Sequence, residues 1–281
     1  MPQIRKRTVW LVILLITAAA VLLLAFDSRL SISFYSIPTS KIAGKVRVAL
    51  ITDLHSCQYG AKQASLIDAI NKQAPDILLF GGDICDDILP HEHTEALLQG
   101  IAAAYPCYYV TGNHEYWSMD VEEILRLFQS YGVTILNGTC DTIEIRGQVI
   151  NICGITDPDV TEYTDSSVGI KEQLEALKHI PENGKYTILL AHRPELIEDY
   201  APYGFDLVLS GHAHGGQWRL PGIVNGIYSP NQGWFPKYTS GKYRVEDTLL
   251  IVSRGLARES TKIPRIFNRP ELVVADLIGE P

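Results

Sequence analysis

The stretch Val48-Ala-Leu-Ile-Thr-Asp53-Leu-His55 places an aspartate and a histidine directly after an apolar run. Such a run predicts a buried β-strand, and residues two apart face the same side where an extended chain becomes a loop. The stretch therefore predicts that Asp53 and His55 lie together at a strand exit. Taken alone, this pair is more typical of a capped turn than of a ligand pair.

Four further blocks along the chain repeat the arrangement of an apolar run followed by a polar side chain. Most of these blocks are, taken alone, typical of ordinary turns. The block with two histidines at i and i+2 is the exception, because two imidazoles are costly to bury without partners. Loops from several strands converge at the carboxyl edge of an open α/β sheet, and ligands collect there. Five blocks in succession therefore predict a metal site. The four are Leu78-Leu-Phe-Gly-Gly-Asp83, Val110-Thr-Gly-Asn113-His114-Glu115, Leu189-Leu-Ala-His192 and Leu209-Ser-Gly-His212-Ala-His214.

The remaining chain alternates apolar β-like runs with amphipathic stretches, which indicates an α/β fold. The predicted strands are 45–52, 76–80, 107–111, 133–136, 142–145, 149–154, 186–191, 206–210, 242–245, 248–253 and 271–277. The predicted helices are 62–72, 93–103, 120–131, 170–179 and 194–200. Residues 215–240 are rich in glycine, proline and aromatic residues without periodicity, and predict a long irregular loop of the kind that often carries function.

The blocks resemble the motifs of the calcineurin-like metallophosphoesterase superfamily, D-x-H, G-D, G-N-H-[DE], H and G-H-x-H, over roughly residues 45–277. The apolar N-terminus and the run Gly211-His-Ala-His-Gly-Gly-Gln217, with Pro221-Gly222 and Ser253-Arg-Gly255 after it, resemble bacterial membrane-associated members more narrowly. The resemblance implies an α/β fold, a four-layer sandwich of two mixed β-sheets flanked by helices, here preceded by one N-terminal transmembrane helix.

The resemblance also implies a role for each residue of the blocks. Asp53, His55 and His214 would hold a first divalent metal ion, and Asn113, His192 and His212 a second, with Asp83 bridging the two. His114 would lie outside the metal ligands and act catalytically on the phosphate or the leaving group.

A donor set of oxygen and nitrogen without thiolate suits manganese, iron or zinc. Two such metals can generate a hydroxide near neutral pH and clamp both oxygens of an in-line displacement at phosphorus. Purple acid phosphatases carry a tyrosine three residues after the aspartate of the second block, where this chain has Asp86, so a ferric–tyrosinate centre is not supported. Asp86 and Asp87 are expected to be solvated turn residues, with contact to the metal ligands as the alternative.

The N-terminus predicts a membrane anchor. Three basic residues precede an uncharged apolar run, 8–26, that spans roughly 28 Å as a helix, close to the hydrocarbon thickness of a bilayer. A cleaved signal peptide is the alternative, although its apolar core is usually shorter. The charge bias favours a cytoplasmic N-terminus and a catalytic domain outside the cell membrane. The predicted parts are a cytoplasmic basic segment 1–7, the anchor 8–26, a connector 27–44 and the phosphoesterase domain 45–281.

The predicted outer domain is acidic. All 32 acidic residues follow the anchor, against 21 of the 24 lysines and arginines, which gives a formal charge near −11. A nucleic-acid partner is therefore not expected, and a phosphate substrate must be attracted locally, by the metal ions. The five cysteines are expected to be buried thiols, with disulfides left open: Cys57, Cys85, Cys107, Cys140 and Cys153.

The anchor favours a phosphorylated lipid or a cell-envelope polymer as the substrate of a phosphodiesterase or pyrophosphatase. The subfamily resemblance suggests a UDP-diacylglucosamine diphosphatase as one alternative, and a non-catalytic metal-binding scaffold is the alternative of another class. Arg193 and Arg254 are predicted to contact a phosphate oxygen, although Arg193 could instead lie over the following helix. An apolar wall beside the metals, or simple packing of the loop, is expected from Trp218, Trp234, Phe235 and Tyr238.

Overall fold

The computed structural model describes residues 2–258 and 263–280, and the side chains from residue 6 onward. Its strands are β1 Ser31–Thr39, β2 Lys45–Ile51, β3 Ile77–Gly81, β4 Cys107–Val110, β5 Thr134–Ile135, β6 Thr139–Ile145, β7 Gln148–Gly154, β8 Tyr186–Leu190, β9 Leu207–Ser210, β10 Tyr228–Ser229, β11 Gly233–Trp234, β12 Gly241–Val245, β13 Thr248–Val252 and β14 Glu271–Gly279. Its α-helices are α1 Pro2–Ala25, α2 Ala64–Gln73, α3 Glu92–Ile101, α4 Asn113–Trp117, α5 Val121–Ser130, α6 Val160–Tyr163, α7 Ile170–Leu177 and α8 Ile197–Tyr200.

Two mixed six-stranded sheets form the centre of the protein. The first has the order β1-β14-β2-β3-β4-β5 and the second β12-β13-β9-β8-β7-β6. The inner strands β2, β3 and β4 of the first sheet, and β7, β8, β9 and β13 of the second, run parallel. Each sheet also has antiparallel neighbours, β14 with β2 in the first and β6 with β7 in the second. The predicted class of two mixed sheets flanked by helices is confirmed.

Side chains along the inner strands alternate in direction, toward the other sheet and toward the helices, which explains the order helix, sheet, sheet, helix of the four layers. In β2, Val48 and Leu50 join a cluster that also contains Ile188 of the second sheet, so these side chains fill the space between the sheets. Ala49 and Ile51 point the other way, into a cluster beneath α2, α3 and α5. A matching cluster lies between the second sheet and α7 and α8. Strands buried on both faces read as continuous apolar runs, which is why the sequence shows them clearly.

The structure differs from the sequence prediction at the proposed connector 27–44. Residues Ser31–Thr39 form β1, an edge strand that pairs in parallel with the last long strand, β14, from Ser31 opposite Glu271 to Thr39 opposite Gly279. Its alternating serines and Pro38 conceal it in the sequence, but edge strands tolerate proline. The end of α1 also packs on the domain, because Phe267 N donates to Ala25 O at 2.7 Å and Ala25 is 5% exposed. The helix is therefore joined to the domain directly, without a long tether.

The pairing of β6 with β7 brings two of the five cysteines close enough to form a disulfide. Cys140 lies directly opposite Cys153, and their Sγ atoms are 2.8 Å apart. Cys57, Cys85 and Cys107 are buried, as predicted.

If the domain faces an oxidising compartment, we expect Cys140 and Cys153 to form a disulfide. The measurement is mass spectrometry of protein alkylated during membrane isolation, without reductant. Alkylation of both cysteines in that sample would contradict the expectation, and Cys140→Ser supplies the control for peptide assignment.

Candidate metal centre

The seven predicted ligands lie in loops at the carboxyl edges of the two sheets. Asp53 and His55 follow β2, Asp83 follows β3, Asn113 follows β4, His192 follows β8, and His212 and His214 follow β9. Five of these residues have a left-handed backbone, a conformation that non-glycine residues adopt only when the surroundings enforce it. These five are Asp53 (φ 49°), His55 (47°), Asp83 (52°), His212 (62°) and His214 (46°).

The side chains gather into two groups that share Asp83. One consists of Asp53, His55, Asp83 and His214, the other of Asp83, His192 and His212, and within each group the candidate ligand atoms lie within 4.8 Å of one another. Asp83 Oδ2 lies 3.1 Å from His192 Nε2 and 3.6 Å from His55 Nε2. Histidine and aspartate residues thus form a site that can hold two metal ions.

Several polar atoms of the site are buried and make no hydrogen bond of acceptable geometry. A polar atom hidden from water without a partner is costly, so its persistence calls for a ligand. Metal ions fit this requirement, because these atoms are lone-pair donors of the types that divalent cations bind. The atoms are His55 Nε2, Asp83 Oδ2, Asn113 Oδ1 and His192 Nε2.

Contacts behind the ligands fix their orientation. His192 Nδ1 lies 2.8 Å from Gly81 O, and His55 Nδ1 lies 3.2 Å from Asp86 Oδ2, so in both rings Nε2 is directed into the site. Asp53 accepts hydrogen bonds from Thr52 Oγ1 at 3.0 Å and from the backbone nitrogen of His212 at 2.8 Å. This last hydrogen bond joins the segment after β2 to the segment after β9, so it links candidate ligands from both sheets.

Burial and charge set the protonation of the metal-free site. Burial lowers the pKa of His212 and of His214 well below the usual range, so both imidazoles are neutral at pH 7. Burial would raise the pKa of Asp83, but the nearby His192 and His114 outweigh it and hold that pKa well below its usual value. Neutral imidazole and ionised carboxylate are the forms that bind metal. Burial acts to lower the pKa of His192, but the carboxylates of Asp83 and Asp53 raise it to about 10, so metal binding there must release a proton.

Two glycines allow the loops to approach the ligands closely. A Cβ atom on Gly112 would lie 2.2 Å from Asp83 Oδ1, and one on Gly211 would lie 2.3 Å from Asp53 Oδ2. Any side chain at either position would therefore displace a ligand carboxylate.

The structure corrects the expectation for Asp86 and Asp87. Asp86 is 4% exposed and contacts His55, as described above. Asp87 Oδ1 lies 2.7 Å from Nδ1 of His114, whose side chain is 22% exposed. Both carboxylates follow the turn after Asp83, which directs them back toward the histidines instead of toward solvent.

The two predicted phosphate contacts, Arg193 and Arg254, have carboxylate partners instead. Arg193 is 6% exposed and donates from Nε and Nη2 to Asp157 at 2.6 and 2.8 Å. Its Nη1 donates to Asn231 Oδ1 at 2.7 Å, and that oxygen lies 2.8 Å from His212 Nε2. Arg254 donates to Glu271 at 3.1 Å. Arg193 therefore contacts the site through Asn231 and through its own Nη1, which lies 3.4 Å from His212 Nε2. Both arginines are thus engaged by protein groups.

Replacing Arg193 with alanine is expected to lower the free energy of unfolding by about 3–5 kcal/mol, because it leaves the buried Asp157 carboxylate without its counterion. Urea denaturation followed by circular dichroism measures the effect. Arg244→Ala, at an exposed position in β12, is the matched control. A loss below about 1 kcal/mol would be typical of a surface pair and would contradict the assignment.

The long loop forms an apolar cavity of about 300 Å³ close to the centre. Gln217 at its wall is three residues beyond His214, and its backbone nitrogen donates to His214 O at 3.2 Å. Trp218 and Trp234 line the cavity as predicted for an aromatic wall, whereas Tyr238 is 4% exposed and packs in the core. The lining residues are Gln217, Trp218, Ile227, Tyr228, Trp234 and Ile263.

Three residues of the site region were not singled out by sequence reasoning. Glu115 is fully buried and accepts hydrogen bonds from the backbone nitrogens of Asp83, Ile84, Cys85 and Gly112, which holds two ligand loops together. Its place in the Gly-Asn-His-Glu block was the available signal. Asn231 and Arg265, which contact His212 and His214, lie in irregular segments that carry no local signal.

Comparison with known proteins agrees with this geometry. The family model described as calcineurin-like phosphoesterase matches residues 46–216, which include all seven ligands and His114. A metallophosphoesterase of Helicobacter pylori is 32% identical over 181 residues, covering 63% of this chain and 46% of that protein. One of Bacillus subtilis is 28% identical over 243 residues, covering 82% of this chain and 78% of the relative.

Among solved structures, a dimetal phosphatase from Danio rerio is 13% identical with a TM-score of 0.54, covering 83% of this chain and 93% of that chain. At that identity the likeness shows the fold alone. This chain spans less than half the length of the Helicobacter relative.

Proposed function

Since the chain belongs to the calcineurin-like phosphoesterase family, we propose that it is a two-metal phosphodiesterase or pyrophosphatase that hydrolyses a lipid-linked or cell-envelope phosphate. The observation that carries the proposal is the pair of ligand groups joined by Asp83, with donor atoms that no protein group satisfies. A scaffold without activity would have no need to keep these strained and unsatisfied residues.

The metals would be held as the sequence predicts, by Asp53, His55 and His214 on one side and by Asn113, His192 and His212 on the other. When bound, two such ions supply a nucleophilic oxygen near neutral pH and neutralise charge on the reacting phosphate. Manganese, iron and zinc all suit the donor set. The protein's own contribution is to fix these donors and to exclude water from them.

His114 is the proposed proton-transfer group. Nδ1 of His114 lies 2.7 Å from the Asp87 carboxylate, which can accept a hydrogen bond from it, so Nε2 is the nitrogen left for proton exchange. His114 also lies edge to face with His55, at 4.2 Å between ring centroids, which places it beside the first ligand group. Such a histidine can take a proton from the nucleophile or give one to the leaving oxygen.

The apolar helix α1 supports the choice of a lipid-linked substrate. Helix α1 is long and apolar enough, over Lys6–Ala25, to cross a membrane, and its apolar side chains are largely exposed. Because its end packs on the domain, the metal centre is held near the bilayer, where lipid substrates are concentrated. We propose a single-pass protein of the cell membrane with the domain outside the cytoplasm, and UDP-diacylglucosamine as one substrate with the required pyrophosphate and acyl chains.

The test is hydrolysis by the full-length, manganese-loaded protein in a maltoside detergent. We expect turnover of bis-para-nitrophenyl phosphate, and faster turnover of at least one lipid among phospholipids, nucleotide-sugar lipids and teichoic-acid-like polymers. Treatment with a chelator should remove both activities. Absence of hydrolysis in a protein that binds two metals would overturn the proposal in favour of the scaffold, and protease protection of the domain in cytoplasm-exposing vesicles tests its orientation.

A further inference from the structure

The segment 263–268 joins three features of the protein. Ile263 lines the apolar cavity, Arg265 approaches His214, and Phe267 donates its backbone N–H to the end of α1. Trp218 is fixed to the same segment, by a bridge to Ile266 and by its indole N–H, which donates to Pro264 O at 2.9 Å. The metal centre, the cavity and the membrane helix are therefore adjacent.

Arg265 is a cation without a counterion in this segment. Its Nε and Nη1 atoms are buried and make no hydrogen bond, and no carboxylate within residues 2–258 and 263–280 forms an ion pair with it. Hiding two donor atoms of a charged group from water without a partner is costly. The residue as a whole is half-buried. Arg193 and Arg254 differ because each has a carboxylate partner.

The contact that the described residues offer the Arg265 guanidinium, with His214, does not satisfy it when metal is bound. Nη2 of Arg265 lies 3.4 Å from Nδ1 of His214. If His214 binds metal through Nε2, which faces Asp53 at 3.8 Å, then Nδ1 must carry the proton. Two donors then face each other. Among residues 2–258 and 263–280, Arg265 therefore has no acceptor when metal is bound, although it lies beside the group of Asp53, His55, Asp83 and His214. A phosphate oxygen is an acceptor that guanidinium groups bind strongly.

The cavity beside Arg265 has the opposite chemistry. Its lining is almost wholly apolar, and at about 300 Å³ it is at the small end of ligand sites, suited to one hydrocarbon chain. Trp234, which lines the cavity, and the next residue, Phe235, are 70% and 71% exposed, although large aromatic side chains are normally buried. Since segment 263–268 also contacts the end of the membrane helix, the occupant in reach is an acyl chain from the bilayer.

We propose that Arg265 binds a phosphate oxygen of the substrate while the cavity holds an acyl chain of the same molecule. The substrate would thus be a membrane lipid with its phosphate close to its chain. This inference rests on the proposed function, because it uses the same metal centre, and it adds the residues that select the lipid.

The experiment measures binding instead of turnover, so that it can fail separately from the proposed function. Calorimetry with the full-length, metal-loaded protein in maltoside detergent compares glycerol phosphate with lysophosphatidic acid, which adds one acyl chain to the same headgroup. We expect lysophosphatidic acid to bind at least about tenfold more tightly, since apolar burial adds to the phosphate contact.

Variants separate the two parts of the site. Arg265→Met should weaken both probes by about 10- to 100-fold, the usual effect of losing hydrogen bonds to a charged group, and Arg265→Lys should weaken them less. Trp234→Ala should weaken lysophosphatidic acid alone. The matched control for Arg265 is Arg269→Met, since the Arg269 guanidinium donates to backbone carbonyls. The control for Trp234 is Ile223→Ala, because Ile223 lies in the long loop 215–240 and is 83% exposed. Both controls should bind the probes like the unchanged protein.

Two outcomes would overturn the inference. If Arg265→Met keeps its metals and binds glycerol phosphate as the unchanged protein does, Arg265 is not a phosphate ligand. If lysophosphatidic acid and glycerol phosphate bind equally, the cavity does not hold the chain. Either result leaves hydrolysis of phosphate esters intact, whereas failure of hydrolysis with normal binding would reject only the proposed function.

Discussion

Asp83→Ala is expected to abolish hydrolysis of bis-para-nitrophenyl phosphate, with a loss of well over about 100-fold, because Asp83 belongs to both ligand groups. Loss of a contact behind a metal ligand already costs about 10- to 100-fold in metal affinity or activity, and here a shared ligand is removed. Metal analysis of the purified variant should show less than the two ions per chain expected for the unchanged protein.

Asp83→Asn separates metal binding from folding. Asp83 Oδ1 accepts a hydrogen bond from His114 N at 2.9 Å, and asparagine can keep that bond while losing the charge. We expect a folded protein with weak metal binding and little turnover. Asp68→Ala, on the exposed face of α2, should keep full activity. Unchanged activity in either Asp83 variant would reject the shared-ligand arrangement.

His114→Ala is expected to lower kcat by about 10²- to 10⁴-fold, the range for removal of a general acid or base, while both metals remain bound. The retained metals distinguish His114 from the ligands around it, although it lies close to His55. Hydrolysis kinetics and metal analysis of the same preparation make the test.

Two further variants test whether the effect is specific to the His114 ring. Asp87→Asn should reduce kcat by a smaller factor, because it disturbs the orientation of the ring and leaves the ring itself in place. His179→Ala, with a side chain 73% exposed, is the matched control and should have no effect. Loss of metal from His114→Ala would reassign His114 as a ligand, in line with its closeness to His55 and Asp86.

Much of the fold could be predicted from local patterns. Strands such as β2 and β8 are buried on both faces, so their apolar runs are continuous and easily recognised. Strand β1 was missed because it lies at an edge, alternates with serine and pairs with a strand some 240 residues away. Nothing within residues 27–44 specifies that distant partner.

The candidate ligands could also be predicted, because each follows an apolar strand directly and the five blocks occur in one recognisable order. The charged residues around them were assigned less well. Arg193 and Arg254 looked available in the sequence but have carboxylate partners, whereas Asp86 and Asp87 looked solvated but contact histidines. No local sequence pattern indicated a role for Arg265.

The sequence by itself therefore determined the α/β class, the candidate ligand residues and the apolar N-terminal helix, since each depends on residues that are close together in the chain. Only the tertiary structure decided which arginine lacks a counterion within residues 2–258 and 263–280, where the apolar cavity lies, and how α1 is joined to the domain. Those properties depend on pairings between distant segments, such as Arg265 with His214 and Ala25 with Phe267. Charge compensation and cavity shape arise from such pairings, and no local pattern encodes them.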